Sequence, residues 1–191
     1  MKGNRLKSRD RYLEEAMFFR DTDLIKVITG VRRCGKSSLL DLIRMTIESE
    51  GVAGRGFASV NLESKSAGIK TEDQGWQDAV NAMRVDFDCD IYLTGSNAYL
   101  LSSELSTYLS GRYVEVKMLP LSFSEFADFC GVEFASGGSV ALAPGGEPVL
   151  FDEMLARYLK YGGMPAIASL STTQAQHSAY MSGVYEAIAV R

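Results

Sequence analysis

Residues 29–40 read "TGVRRCGKSSLL", and the meaning of this stretch decides the fold. Gly30, Gly35, Lys36 and Ser37 fill the four fixed positions of G-x-x-x-x-G-K-[ST], a loop whose backbone amides wrap phosphate oxygens. Such a loop needs a strand to deliver it and a helix to receive it. Leu24-Ile25-Lys26-Val27-Ile28 is a short apolar run behind the turn-prone Asp21-Thr22-Asp23 and predicts a buried strand. Leu40, Ile43 and Ile47 recur at i, i+3 and i+7, with Asp41, Arg44 and Glu48 on the other side and Gly51 as a stop. That spacing predicts an amphipathic helix.

The chemistry follows from this order of elements. Glycines let the backbone wrap closely, so amides from about Arg33 to Ser37 would face phosphate oxygens at the positive end of the helix. Lys36 would place its charge on the β- and γ-phosphates, and the Ser37 hydroxyl would ligate Mg²⁺. The candidate nucleotide-binding residues are therefore Gly30, Arg33, Cys34, Gly35, Lys36, Ser37 and Ser38, with Ser37 as the metal ligand and Lys36 also catalytic. The bland alternative is an ordinary glycine-rich turn between strand and helix. For the side chains at the variable positions, surface charge (Arg32, Arg33) and a small buried thiol (Cys34) compete with contacts to the nucleotide.

The whole chain sets the bounds. Its 191 residues suit one domain with a small appendage, and 46% hydrophobic with 23% charged residues is ordinary for a globular protein. A formal charge of -4 argues against a nucleic-acid surface over the whole domain. The small basic cluster Arg5, Lys7, Arg9 and Arg11 reads as a solvated helix face rather than a phosphate contact. Three cysteines, Cys34, Cys89 and Cys130, and the single His177 lack metal-site spacing, which suggests a reducing compartment and no structural zinc. With no long apolar run and a polar N-terminus, the expectation is a cytoplasmic protein with no membrane contact.

Along the chain, helix is expected at residues 10–20, strand at Phe57–Leu62, and loop at residues 64–75. A helix follows with Trp76, Val80, Met83 and Phe87 on one face. "DIYLTGSN" (90–97) reads as a buried strand with a polar tip, residues 97–111 as an amphipathic helix, and "RYVEVKMLP" (112–120) as a strand. Beyond Pro120 the pattern is helical at 121–131, at 147–163 and towards the end. The Gly/Ser/Ala/Pro-rich segment between the first two reads as loop or linker. The fold class is thus α/β, a parallel sheet flanked by helices. Residues 1–120 form the nucleotide-binding core and 121–191 a helix-rich lid or subdomain that stops without a capping signal.

One expected part is missing. A P-loop enzyme usually carries an apolar strand ending in an acid that holds Mg²⁺ and prepares the attacking water. Glu63 to Cys89 contains no four consecutive apolar residues, and the pair Glu72–Asp73 lies in polar surroundings. A strand with its crossover helix would need some 20 residues more, so either the sheet lacks that strand or this sequence omits a stretch near residues 71–72.

The segments "DLIKVITGVRRCGKSSLL", "DIYLTGSNAYLLSSELSTYLSGRYVEV", "LPLSFSEF" and "YLKYGGMPA" together resemble a large family of prokaryotic P-loop ATPases. Members have an AAA-like core and a separate C-terminal domain of poorly defined role. The resemblance covers nearly the whole chain and implies Mg-ATP binding. It also implies an Asp-Glu strand ahead of the segment matching "GWQDAV", which this chain lacks, as it lacks the C-terminal domain. By resemblance Asn97 is the sensor on the γ-phosphate or the attacking water, against a turn-capping reading. Arg112 is the candidate arginine finger, acting within the chain or across a subunit boundary, against a surface salt bridge.

The leading expectation is a Mg-ATP-binding core that hydrolyses ATP to ADP in the complete protein, with a homo-oligomer as one way to complete its site. A non-hydrolytic switch recruiting DNA or a protein through the absent C-terminal domain is the alternative. A small-molecule kinase is a weaker third, because no acceptor pocket is marked.

Overall fold

The structure is a computed structural model that describes residues 6–51, 75–87, 89–94, 111–169 and 174–189. The expected strand at Phe57–Leu62 and the helix at 97–111 lie outside the described residues. The chain divides into two compact units, one of Met1–Thr29 with Ser37–Lys117 and the other of Gly30–Lys36 with Met118–Arg191.

The first unit is built round the strand expected from "LIKVI". Helix α1 (Asp10–Phe18) precedes it and buries Tyr12 and Ala16. Strand β1 (Ile25–Gly30) is buried at every position, as a run of apolar residues covered on both faces requires. Helix α2 (Lys36–Ser49) follows the loop and buries Leu39, Ile43 and Ile47, spaced i, i+4 and i+8. The inward stripe thus starts at Leu39, one residue before the expected Leu40, which is half-buried.

Helix α3 (Gly75–Asp86) buries Val80, whereas Met83 and Phe87, expected on the same face, are exposed. Strand β2 (Tyr92–Thr94) pairs parallel with β1, Lys26 opposite Tyr92 and Ile28 opposite Thr94. Strand β3 (Tyr113–Met118) lies on the other side of β1, giving the order β2-β1-β3. Ile25 N–H donates to the Arg112 carbonyl at the start of β3 (2.9 Å), so β1 and β3 begin together. Among the described residues the result is a three-stranded sheet, and it is the parallel sheet flanked by helices that the alternating pattern implied.

Lys26 is fully buried in β1 and is held by the Asp90 carboxylate and the Thr22 carbonyl. Asp90 also accepts from the Asp21 backbone N–H (3.0 Å) and lies 3.5 Å from the Tyr92 hydroxyl. The Tyr92 phenol is pushed well above its ordinary value, first by burial and then by the Asp90 charge.

The second unit has its own core, in which Leu121, Phe126, Val132, Met154 and Ile167 are buried together. Helix α4 (Phe123–Phe129) opens on a capping box, with the Ser122 side chain accepting from Glu125 N–H and the Glu125 carboxylate accepting from Ser122 N–H. The segment read as linker contains a β-hairpin, β4 (Val140–Leu142) antiparallel to β5 (Pro148–Leu150). Its tip closes through Ala143 N–H to the Glu147 carbonyl (2.8 Å). Helix α5 (Phe151–Tyr161) therefore starts four residues later than the helix expected at 147–163.

Helix α5 ends at Gly162, whose φ of 71° suits glycine. Gly163 then accepts at its carbonyl from Leu121 N–H (2.7 Å), and Tyr158 donates its hydroxyl to the Leu121 carbonyl (3.0 Å). The short helix α6 (Pro165–Ser169) and the 16-residue α7 (Gln174–Ala189) complete the chain's described part.

A Cβ at Gly163 would stand 2.1 Å from the Leu121 carbonyl oxygen, a backbone atom that cannot step aside. Gly163→Ala is expected to cost about 3 kcal/mol, the upper end for overpacking, measured by urea unfolding. Tyr92 ionises near pH 10 when unfolded but not when folded, so its contribution is whole below pH 10 and is lost as pH rises above it. Stability should therefore fall on passing pH 10, and less so in Tyr92→Phe, as read from denaturation midpoints on both sides of that pH.

Candidate phosphate-binding site

The loop leaves β1 at Gly30, whose φ is +146°. A Cβ there would meet the Met118 carbonyl oxygen at 2.4 Å and the Cys34 sulfur at 2.9 Å, so only glycine lets the chain turn this close to β3. Cys34 is fully buried in the turn, and its N–H donates to the Val31 carbonyl (3.3 Å). Of the two readings of Cys34, the structure shows the small buried thiol. Gly35 also has a positive φ, 104°, and so does Arg33 at 67°, although it is not glycine.

Lys36 Nζ donates to the carbonyls of Gly30 and Val31, 2.9 Å each, so the ammonium reaches back across the loop mouth. Lys36 is also the first residue of α2, a helix of 14 residues with no acid in its first turn. The positive end of that helix and the lysine charge act in the same place. Ser37 and Ser38 are exposed in this first turn. The loop thus brings together Gly30, Arg33, Cys34, Gly35, Lys36, Ser37 and Ser38 as one continuous bend. The donors present suit a polyphosphate, and Ser37 offers one hydroxyl to a cation. Among the described residues no cluster of three or more His, Cys, Asp or Glu side chains could hold a metal by itself.

Two further candidates remain. Asn97 lies outside the described residues. Arg112 is exposed and its carbonyl accepts from Ile25, the first residue of β1, whereas the loop follows the last. Thr94 is exposed at the end of β2.

Sequence reasoning passed over several neighbours of the loop. Thr29, fully buried one residue before Gly30, donates its hydroxyl to the Glu115 carboxylate on β3. Glu115 alternates with Val114 and Val116 in "YVEVKM" and shares its face with exposed Lys117, so the sequence carries no signal for this contact. Met118 and Pro165 both approach Gly35, each 3.9 Å from the place its Cβ would take. The Arg33 guanidinium lies 5.4 Å from the centre of the Tyr180 ring on α7.

A parallel α/β sheet whose central strand ends in this loop defines a P-loop nucleoside-triphosphatase-like fold. Comparison with known proteins places a second signal elsewhere in the chain: residues 70–127 match the family model described as AAA domain, a nucleotide-binding class. The match and the loop do not overlap, so they are independent. An uncharacterized protein of Haemophilus influenzae is 37% identical over 95% of this chain and 49% of its own length. An uncharacterized protein of Methanocaldococcus jannaschii is 28% identical over 84% of this chain and 41% of its own length. The chain thus spans about half or less of these relatives. The first alignment runs to 209 positions against a chain of 191 residues, so that relative carries segments with no counterpart here. No solved structure matches. Among the described residues, no helix is long and apolar enough to cross a membrane.

Gly30 and Gly35 both have positive φ, but only Gly30 lacks room for a methyl group. Thermal melts should therefore show Gly30→Ala less stable than Gly35→Ala by a further 1–3 kcal/mol or about that.

Proposed function

We propose that this chain is the Mg-ATP-binding core of an AAA-like ATPase that hydrolyses ATP in the complete protein. The carrying observation is the bend from Gly30 to Ser38, with Lys36 Nζ across its mouth and the start of α2 beneath it. In this reading Lys36 moves from the Gly30 and Val31 carbonyls to the β- and γ-phosphates, and Ser37 ligates Mg²⁺. The exchange replaces two neutral acceptors by charged ones, which strengthens each hydrogen bond. Asn97 orients the attacking water, and Arg112 serves a neighbouring subunit. The second assignment is supported by its place beside Ile25, at the other end of β1 from its own loop.

One observation favours the alternative for this chain taken alone. The aligned relative is longer within the matched stretch, and no apolar run ending in an acid occurs between Glu63 and Cys89. Nucleotide binding without turnover is the consequence, and the chain then works as a nucleotide-dependent switch whose protein or DNA partner meets another part of the complete protein.

Calorimetric titration with Mg-ATP tests the reading. Wild type is expected to bind, and Lys36→Ala to lose about 2–3 kcal/mol, roughly 100-fold in affinity. Unchanged affinity in that variant would remove the loop from the site. Bound ATP should be recovered intact from the chain of 191 residues. Release of ADP that disappears in Lys36→Ala would instead show a hydrolytic centre already complete.

A further inference from the structure

Arg33 occupies a backbone conformation that glycine adopts freely and an L-residue does not, with φ of 67°. Nothing in the loop itself demands a side chain there, since the residue is exposed. Its guanidinium lies over the Tyr180 ring, 5.4 Å from the ring centre. Tyr180 is half-buried and packs on the core of the second unit, so the ring is a fixed platform rather than a free surface side chain. The same compact unit contains the loop residues Gly30–Lys36 and helix α7.

We propose that Tyr180 is a positioning residue for the phosphate loop, holding Arg33 in its left-handed conformation through the cation–π contact. The inference rests on the reading of the loop as a triphosphate site. A guanidinium on an aromatic face is attracted by the ring quadrupole, and the attraction offsets the steric cost of the left-handed backbone. Cys34 N–H already donates to the Val31 carbonyl, and on the triphosphate reading the amides that follow it face phosphate only while the backbone at Arg33 holds. Tyr180 thus acts on phosphate through Arg33 and touches no ligand itself.

The test is a double-mutant cycle on Mg-ATP affinity with the whole chain. Tyr180→Leu is expected to weaken binding about tenfold, within the range that one left-handed residue costs. Tyr180→Phe, which keeps the ring, should bind as wild type does. Glycine needs no clamp, so adding Tyr180→Leu to Arg33→Gly should change nothing further. Arg33→Ala keeps the Cβ and loses the clamp, so it should fall to the level of Tyr180→Leu. This surface pair decides the matter even if Tyr180→Leu fails to fold.

Equal losses from Tyr180→Leu in both backgrounds would overturn the proposal, as would equal weakening in Arg33→Gly and Arg33→Ala, which would mean direct contact with nucleotide. Wild-type affinity in Arg33→Ala would overturn it too. A wild-type chain that binds no Mg-ATP, or binds it as well with Lys36→Ala, would overturn the site itself rather than the clamp.

Discussion

The close approach of Gly30 to the Met118 carbonyl is the constraint on which the rest of the site depends. At that point β1 has spent its apolar run, and the chain must turn within a space that has no room for a Cβ. The burial of all six β1 residues fixes where the strand ends, so the turn cannot slip along the sheet. Everything downstream, from the buried Cys34 to the lysine that spans the mouth, is placed by this one contact. A glycine here is a packing requirement before it is a phosphate-binding one.

The loop was legible because its signal is both local and chemical. Two glycines, a lysine and a serine at fixed spacing, set between a β-branched run and a 3.6-period helix, specify one geometry. The flanking strand and helix followed, although β1 runs two residues past the apolar run, to Gly30, and the inward stripe of α2 shifts from Leu40 to Leu39. The hairpin of β4 and β5 was hidden because each strand has three residues, too short for alternation to show against a Pro/Gly-rich background. Met83 and Phe87 misled because apolar spacing says which residues share a helix face, not whether a neighbour covers that face.

Contacts distant in sequence were illegible for another reason. Nothing in "YGGMPA" announces that Gly163 must pass within hydrogen-bonding distance of Leu121, or that Pro165 approaches Gly35. Each is a small residue chosen by a backbone that comes from elsewhere in the chain. Resemblance flagged the segment, and the structure supplies its physical reason. Arg33 and Tyr180 are a harder case, since neither residue type is unusual alone and only the backbone angle makes the pair informative.

Binding and turnover draw on different parts of such a fold. The groups that hold a triphosphate sit on one short segment, and a cut or insertion elsewhere leaves them intact. Turnover needs in addition a carboxylate at the tip of a neighbouring strand, free to act on the metal and the water. Among the three described strands of the parallel sheet only β3 carries a carboxylate, Glu115, and it accepts a hydrogen bond from buried Thr29. Its geometry ties β3 to the residue before the loop, and a group engaged in that way holds the strands in register. On the proposed reading the acid for hydrolysis would then come from another strand, and the stretch from Glu63 to Cys89 has no run of four apolar residues to precede one. The proposed phosphate loop is therefore far more complete in this sequence than the proposed step that would consume the phosphate bond.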